Sequence, residues 1–275
     1  MQNVNIIGGV GMDLREGIQT LVDIFYREYP EIERVPFDIT LTDDLDETSY
    51  KLRPDLRERF AAQGKGSDGD SNGRMVPPCN LDEKLHVLIN TGSIQKYTED
   101  GSMTWVGTIA HELTHAADFY QMARLEGLDN YDPLQEISRY ELFQYWTEYH
   151  ARKLGYSFLR KFLAVDADDN DKDAAVDYIS KVEWPHHMDD HFDTYHECAD
   201  RHQQIIITMH LLGRYSVWCD LFPETFNEEK LSVDFYHAPW MYHLFSFMRQ
   251  HETLDAIYWD FPAMRRTLRE NWENI

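Results

Sequence analysis

Apolar residues recur every three or four positions between residues 14 and 29. Ile18, Leu21, Val22, Phe25 and Tyr26 share one side of a predicted helix that stops at Pro30. The period then drops to two: Val35, Phe37, Ile39 and Leu41 alternate with other residues and predict a strand over 35–41. A short helix over 54–62 follows, then a polar, glycine-rich loop over 64–73 that Pro77-Pro78 keeps irregular at its exit. A second strand is predicted over 85–90, closed by Thr91-Gly92. The helical period returns with Ser102 as N-cap and runs to about Glu126, before Gly127. Ile109, Leu113, Ala116, Ala117 and Tyr120 make its buried side, while His111, His115, Asp118 and Met122 form a separate stripe. The next helix is predicted to open at Asp132 as cap, with Pro133 and Gln135 in its first turn, and to continue through Arg152 to Gly155. Beyond an acidic break at 166–173, the pattern is helical over 174–184, 189–221 and 236–272, with turns at Trp184-Pro185 and Phe222-Pro223.

This order predicts an α+β first part over 1–155 and a mainly helical part over 156–275. With 275 residues, 43% of them hydrophobic, the chain can bury a sizeable core and is not a disordered one. Its net charge of −23 disfavours nucleic acid and anionic membranes as partners, since both require clustered Lys and Arg. Three cysteines (Cys79, Cys198 and Cys219) are too few and odd in number for a disulfide framework. The first eleven residues lack a basic segment followed by an apolar run, and no stretch approaches the ~20 apolar residues of a membrane span. A soluble, cytoplasmic protein is expected.

The chemistry concentrates in His111-Glu112-Leu113-Thr114-His115, an H-E-x-x-H pentad. Residues four apart on a helix return to nearly the same face, so the two imidazoles can bind one Zn2+ while Glu112 reaches a water beside the metal. A catalytic zinc takes a third protein ligand. The metzincin solution continues the same motif with a Gly and a further ligand, but the chain reads Ala116-Ala117-Asp118-Phe119-Tyr120-Gln121 there and offers neither. A glutamate of the following helix is the other solution. Glu136, Glu141 and Glu148 all qualify by position, and Glu141 and Glu148 share a face. Glu148 is preferred because Tyr145, Trp146 and Tyr149 surround it in sequence, and a desolvated carboxylate calls for a cationic partner. Asp118, one turn beyond His115, is placed to orient an imidazole from behind the metal.

The string His111 to Ala116 resembles the motif of thermolysin-type gluzincin metallopeptidases, and Glu148-x-x-Ala151 is similar to their second motif, a helical Glu followed by a small residue. The order of helix, strands, pentad helix and Glu helix over about 14–155 also resembles compact zincin domains of the ImmA/IrrE type. The resemblance implies a zincin-like domain and a zinc metallopeptidase acting on a peptide or protein substrate. In that mechanism Glu112 is the general base that deprotonates a zinc-bound water as it attacks the peptide carbonyl. Tyr145, Tyr149, His150 and the later histidines are candidates to stabilise the oxyanion, and the strand over 85–90 is a candidate edge for pairing with extended substrate. A different class of function, a zinc-containing regulatory or binding module with little proteolysis, uses the same ligands. Retention of Glu112 argues against it, because metal binding alone does not need the base.

Other signals are weaker. Asp68-Gly69-Asp70-Ser71-Asn72-Gly73 matches the first half of a calcium loop, but position twelve is Cys79 and a polar loop is the expectation. Asp166, Asp168 and Asn170 read as a solvated acidic turn. His186, His187, His191, His196, His202 and His210 are unusually dense; one of them lining the cleft is more credible than a second metal at His187 and His191.

Overall fold

The computed structural model describes residues 5–7, 12–62, 72–163 and 169–272. Their contacts divide into two units, 1–137 and 138–275. The boundary expected near 155 therefore falls inside a continuous helix, and the pentad and Glu148 belong to different units. The class is α+β.

The first unit contains β1 (Asn5–Ile7), α1 (Met12–Glu28), β2 (Phe37–Thr42), α2 (Leu45–Leu52), α3 (Asp55–Ala62), β3 (Gly73–Val76), β4 (Leu85–Asn90), α4 (Thr91–Glu99) and α5 (Thr104–Leu125). The sheet order is β1-β2-β4-β3, with β3 alone running antiparallel to its neighbour. The long β1–α1–β2 connection is what two parallel neighbours require. β2 and β4 bury residues on both faces, as strands covered on two sides do. Leu88 packs with Leu45, Leu56 and Val76 on the face covered by α2 and α3. On the opposite face, Gly73 pairs with Ile89 and lies against α5.

Two expectations change here. The strand over 85–90 is not an edge, because it is paired on both sides, and β3 is the edge strand beside it. That strand begins at Gly73, where the sequence pattern predicts loop; only four residues long, it carries too little alternation to announce itself. Its exit is held by Arg53, which is 4% exposed. The guanidinium donates to the Pro77 carbonyl (3.0 Å), Asp55 (2.7 Å) and Asp132 (2.7 Å). Asp132 is thereby an ion-pair partner rather than the cap of a long helix. Residues Asp132–Glu136 form a separate 3₁₀ turn, and Ile137 is extended.

In the second unit, α6 (Tyr140–Leu163) packs along α9 (Arg201–Leu221), with α7 (Asp169–Tyr178), α8 (Trp184–Glu197), α10 (Glu228–Asp234), α11 (Pro239–Arg249), α12 (Leu254–Tyr258) and α13 (Phe261–Trp272) completing it. The predicted turn at Trp184-Pro185 is absent. A π-helical turn over Ile179–Glu183 runs directly into α8, and Pro185 sits in the first turn after it, at the change of helical type. Two longer predicted helices are each divided, at 198–200 and at the turns before α11, α12 and α13. Asp200 and Thr253 cap new starts with side-chain oxygens, and Asn227 caps α10, a short helix outside the predicted spans. The core is aromatic: Trp218 meets Trp184, Tyr156 and Phe226 at ring separations of 5.5, 5.9 and 5.5 Å. Among the described residues, no helix is long and apolar enough to cross a membrane.

Candidate metal centre

α5 carries the pentad. Its first residue is Thr104, whose N–H is taken by Ser102 Oγ (3.2 Å), so Ser102 serves the helix start from one position before Met103, the cap. The far end is closed by Gly127, whose φ of +67° suits a residue without a side chain. The whole pentad is buried: His111, Glu112 and His115 are 9%, 6% and 7% exposed. The two imidazoles stand edge to face, ring planes 88° apart, and their Nε2 atoms are 3.0 Å from each other. Two nitrogens bound to one tetrahedral zinc at about 2.05 Å lie roughly 3.3 Å apart. The donor set and its spacing fit that ion. Asp118, on the same helix, is 2% exposed and so is not a solvated acid.

Glu112 is positioned by β3. A Cβ on Gly73 would come 3.0 Å from Glu112 Cγ, 2.9 Å from Thr108 Cγ2 and 3.1 Å from the Leu88 carbonyl oxygen. Glycine is what lets the edge strand approach the helix at the level of Glu112. Gly73→Ala is expected to lower stability by about 1–3 kcal/mol through this overpacking. A melting temperature equal to that of the native chain would show the contact to be slack.

Glu148 lies on α6, a quarter exposed, and its Oε2 is 2.8 Å from His210 Nε2 on α9. Arg152 also approaches His210, at 3.4 Å from Nδ1. Desolvation, then the Arg152 charge, hold the His210 pKa below its usual value against the pull of Glu148. A neutral His210 can donate its Nε2 proton to the carboxylate, an arrangement that orients ligating acids. Glu141 differs. It is exposed (65% of its side chain) and accepts the Tyr145 hydroxyl proton at 2.8 Å, with His202 3.1 Å from the same hydroxyl. Within the second unit, Glu148 is the sheltered, supported carboxylate of the two. Ala151, one turn on, is fully buried.

Of the oxyanion candidates, Tyr149 is committed to the interior, donating to Ser216 Oγ at 3.0 Å, and burial raises its pKa. Tyr145 is held by Glu141, and His150 stacks on Trp146 at 4.8 Å. His210 went unsingled at the sequence level because the segment around it is rich in histidine, and nothing in a 62-residue separation marks its partner.

His187 and His191 do not converge. His187 faces Arg214 (3.1 Å) and Glu183 (3.6 Å), whereas His191 has no side-chain partner for either ring nitrogen and lies beside the Ile207 backbone. Burial pushes the His191 pKa down to about 4, opposed by the Ile207 backbone. The unfolded chain takes up this proton near pH 6.5 and the folded one only near 4. As pH falls from about 6.5 to 4, the unfolded chain gains a proton that the folded one does not, and folding stability drops by up to about 3 kcal/mol. Relative to His191→Phe, which takes up no proton, the native chain should lose this much stability in urea unfolding as pH falls from 6.5 to 4; a constant difference across that range would refute it. Of the calcium-like loop, residues 68–71 lie outside the described residues, as do 166–168 of the acidic turn. Asn72 of that loop donates to the Tyr97 hydroxyl at 3.1 Å. Compared with known proteins, the chain matches no family model, no curated protein and no solved structure.

Proposed function

We propose that the chain is a zinc-dependent metallopeptidase of gluzincin type on a zincin-like scaffold, with His111, His115 and Glu148 as ligands and Glu112 as general base. The observation that carries this reading is the pair of Nε2 atoms 3.0 Å apart on one buried helical face, with a buried glutamate between the two histidines in sequence. Glu148 is preferred to Glu141 because it is the more sheltered carboxylate and is held by His210.

Zinc held there would polarise a scissile carbonyl and make water acidic enough to lose a proton near neutral pH. Glu112 takes that proton during attack and returns it to the departing amine, which needs a carboxylate that is ionised at rest and sheltered from bulk water. Asp118 positions an imidazole, and His210 positions Glu148. The edge strand β3, rather than the strand beside it, is where an extended peptide would add to the sheet.

The test begins with metal content. One zinc per chain is expected after purification, with Glu148→Gln lowering zinc affinity at least about 100-fold, more than loss of a supporting residue would, and Glu141→Gln leaving it within about twofold. Equal affinity in both variants would remove Glu148 from the site. Stoichiometric zinc without cleavage of any member of a broad peptide library would favour the regulatory-module reading, and absence of zinc would defeat both.

A further inference from the structure

A cavity unrelated to the pentad lies wholly within the second unit. Residues of α8, α10, α11 and the turn between the last two enclose about 290 Å³. Its walls are mainly Phe192, Phe235, Trp240 and Met241, with the Phe192 and Phe235 rings 5.9 Å apart. An apolar cavity of about 150 Å³ accommodates benzene, so this one has room for two fused rings.

The polar groups around it are unequal. Asp234 lines the cavity, but its carboxylate already accepts from Trp184 Nε1 (2.8 Å) and pairs with Lys230 (3.2 Å), so it does not call for a cationic ligand. His196 and His237 are exposed and mark an opening to solvent. His191 is the exception: 96% of it is buried, and neither ring nitrogen has a well-formed hydrogen bond, the Ile207 backbone being the polar group beside it. A buried imidazole left so loses the hydration it had in the unfolded chain without replacement. Water is a poor substitute in a mostly apolar cavity, because it needs two to four polar partners of its own. A neutral imidazole both donates and accepts, which suits a hydroxyl and does not select for an anion.

We propose that this cavity binds a small, neutral, flat aromatic alcohol of about naphthol size, its rings against Phe192, Phe235 and Trp240 and its hydroxyl hydrogen-bonded to His191. Such a pocket, mostly apolar with a few polar side chains at its wall and mouth, has the general make-up of a small-molecule site. The site stands independently of the metallopeptidase reading.

The test uses the full chain with 2-naphthol and naphthalene as probes, read by calorimetry and by the methyl resonance of ¹³C-labelled Met241. The native chain should bind 2-naphthol about tenfold tighter than naphthalene, because only the alcohol satisfies the imidazole. His191→Phe keeps a ring of similar size and should bring the two probes within about twofold. Ala238→Trp fills the cavity from its lining and should abolish both, with native circular dichroism; it also serves if His191→Phe fails to fold. Binding of neither probe, equal binding of both to the native chain, or a naphthol preference that survives in His191→Phe would each overturn the proposal. Displacement of naphthol by benzyltrimethylammonium would overturn it in favour of a cation-binding aromatic cage.

Discussion

Glu112→Gln is expected to lower peptide hydrolysis by about 10²–10⁴-fold while leaving zinc content at one per chain. The amide has nearly the shape of the carboxylate, so the contact with Gly73 survives and the helix should pack as before. In the proposed mechanism, what disappears is the ability to accept a proton from attacking water and deliver it to the amine. In the proposed site neither imidazole can substitute, since both Nε2 atoms, 3.0 Å from one another, would be taken up by the metal. Single-turnover cleavage of a peptide library, normalised to bound zinc, is the measurement. A variant retaining more than about a tenth of native activity would show that the proton goes elsewhere and would take Glu112 out of the mechanism.

The second large effect is expected at Gly213, where α9 crosses α6. A Cβ at this position would lie 2.8 Å from the Tyr149 carbonyl oxygen, 3.0 Å from Arg152 Cβ and 3.1 Å from the Lys153 nitrogen. Two of these three atoms are backbone, which cannot swing away as a side-chain tip can. Alanine ordinarily stabilises a helix relative to glycine by about 1 kcal/mol. Here the crossing must open, and Gly213→Ala should be destabilising by about 1–3 kcal/mol, with Gly213→Leu at or above about 3 kcal/mol. The consequence reaches the candidate site because His210 lies one turn before Gly213, and Arg152 one turn after Glu148. Parting the helices should stretch the 2.8 Å contact between Glu148 and His210. Thermal unfolding reads the first effect and zinc affinity the second. A stabilised Gly213→Ala, as helix propensity alone would give, would show that the crossing yields easily.

Local signals were legible where one residue type has one dominant use. Gly127 ended α5 as its pattern indicated, with the positive φ that glycine tolerates, and the alternating stretch before Leu41 formed a strand within two residues of its expected bounds. The signals failed where the same residue type has two uses. Asp132-Pro133 has the composition of a helix start, yet Arg53, 79 residues away, takes the carboxylate, and the helix begins only at Tyr140. Trp184-Pro185 reads as a turn, but proline is equally acceptable in the first turn of a helix, and burial of Trp184 against Trp218 and Tyr215 favoured the helix. Strand order was outside the reach of pattern altogether. β4 has the hydrophobicity of a useful edge and is instead the paired neighbour of a shorter, more polar edge.

The pentad is the part that sequence determined by itself. A 3.6-residue period places His111 and His115 on one face wherever the helix sits, and Glu112 must then lie one step round. Tertiary structure alone decided that Gly73 would press β3 against that glutamate, that Glu148 rather than Glu141 would be sheltered and supported by a histidine 62 residues away, and that His191 would be buried facing a cavity instead of pairing with His187. The difference is physical. Periodicity is a property of neighbouring residues and survives in any environment, whereas the burial and pairing of one side chain depend on which distant segments pack over it.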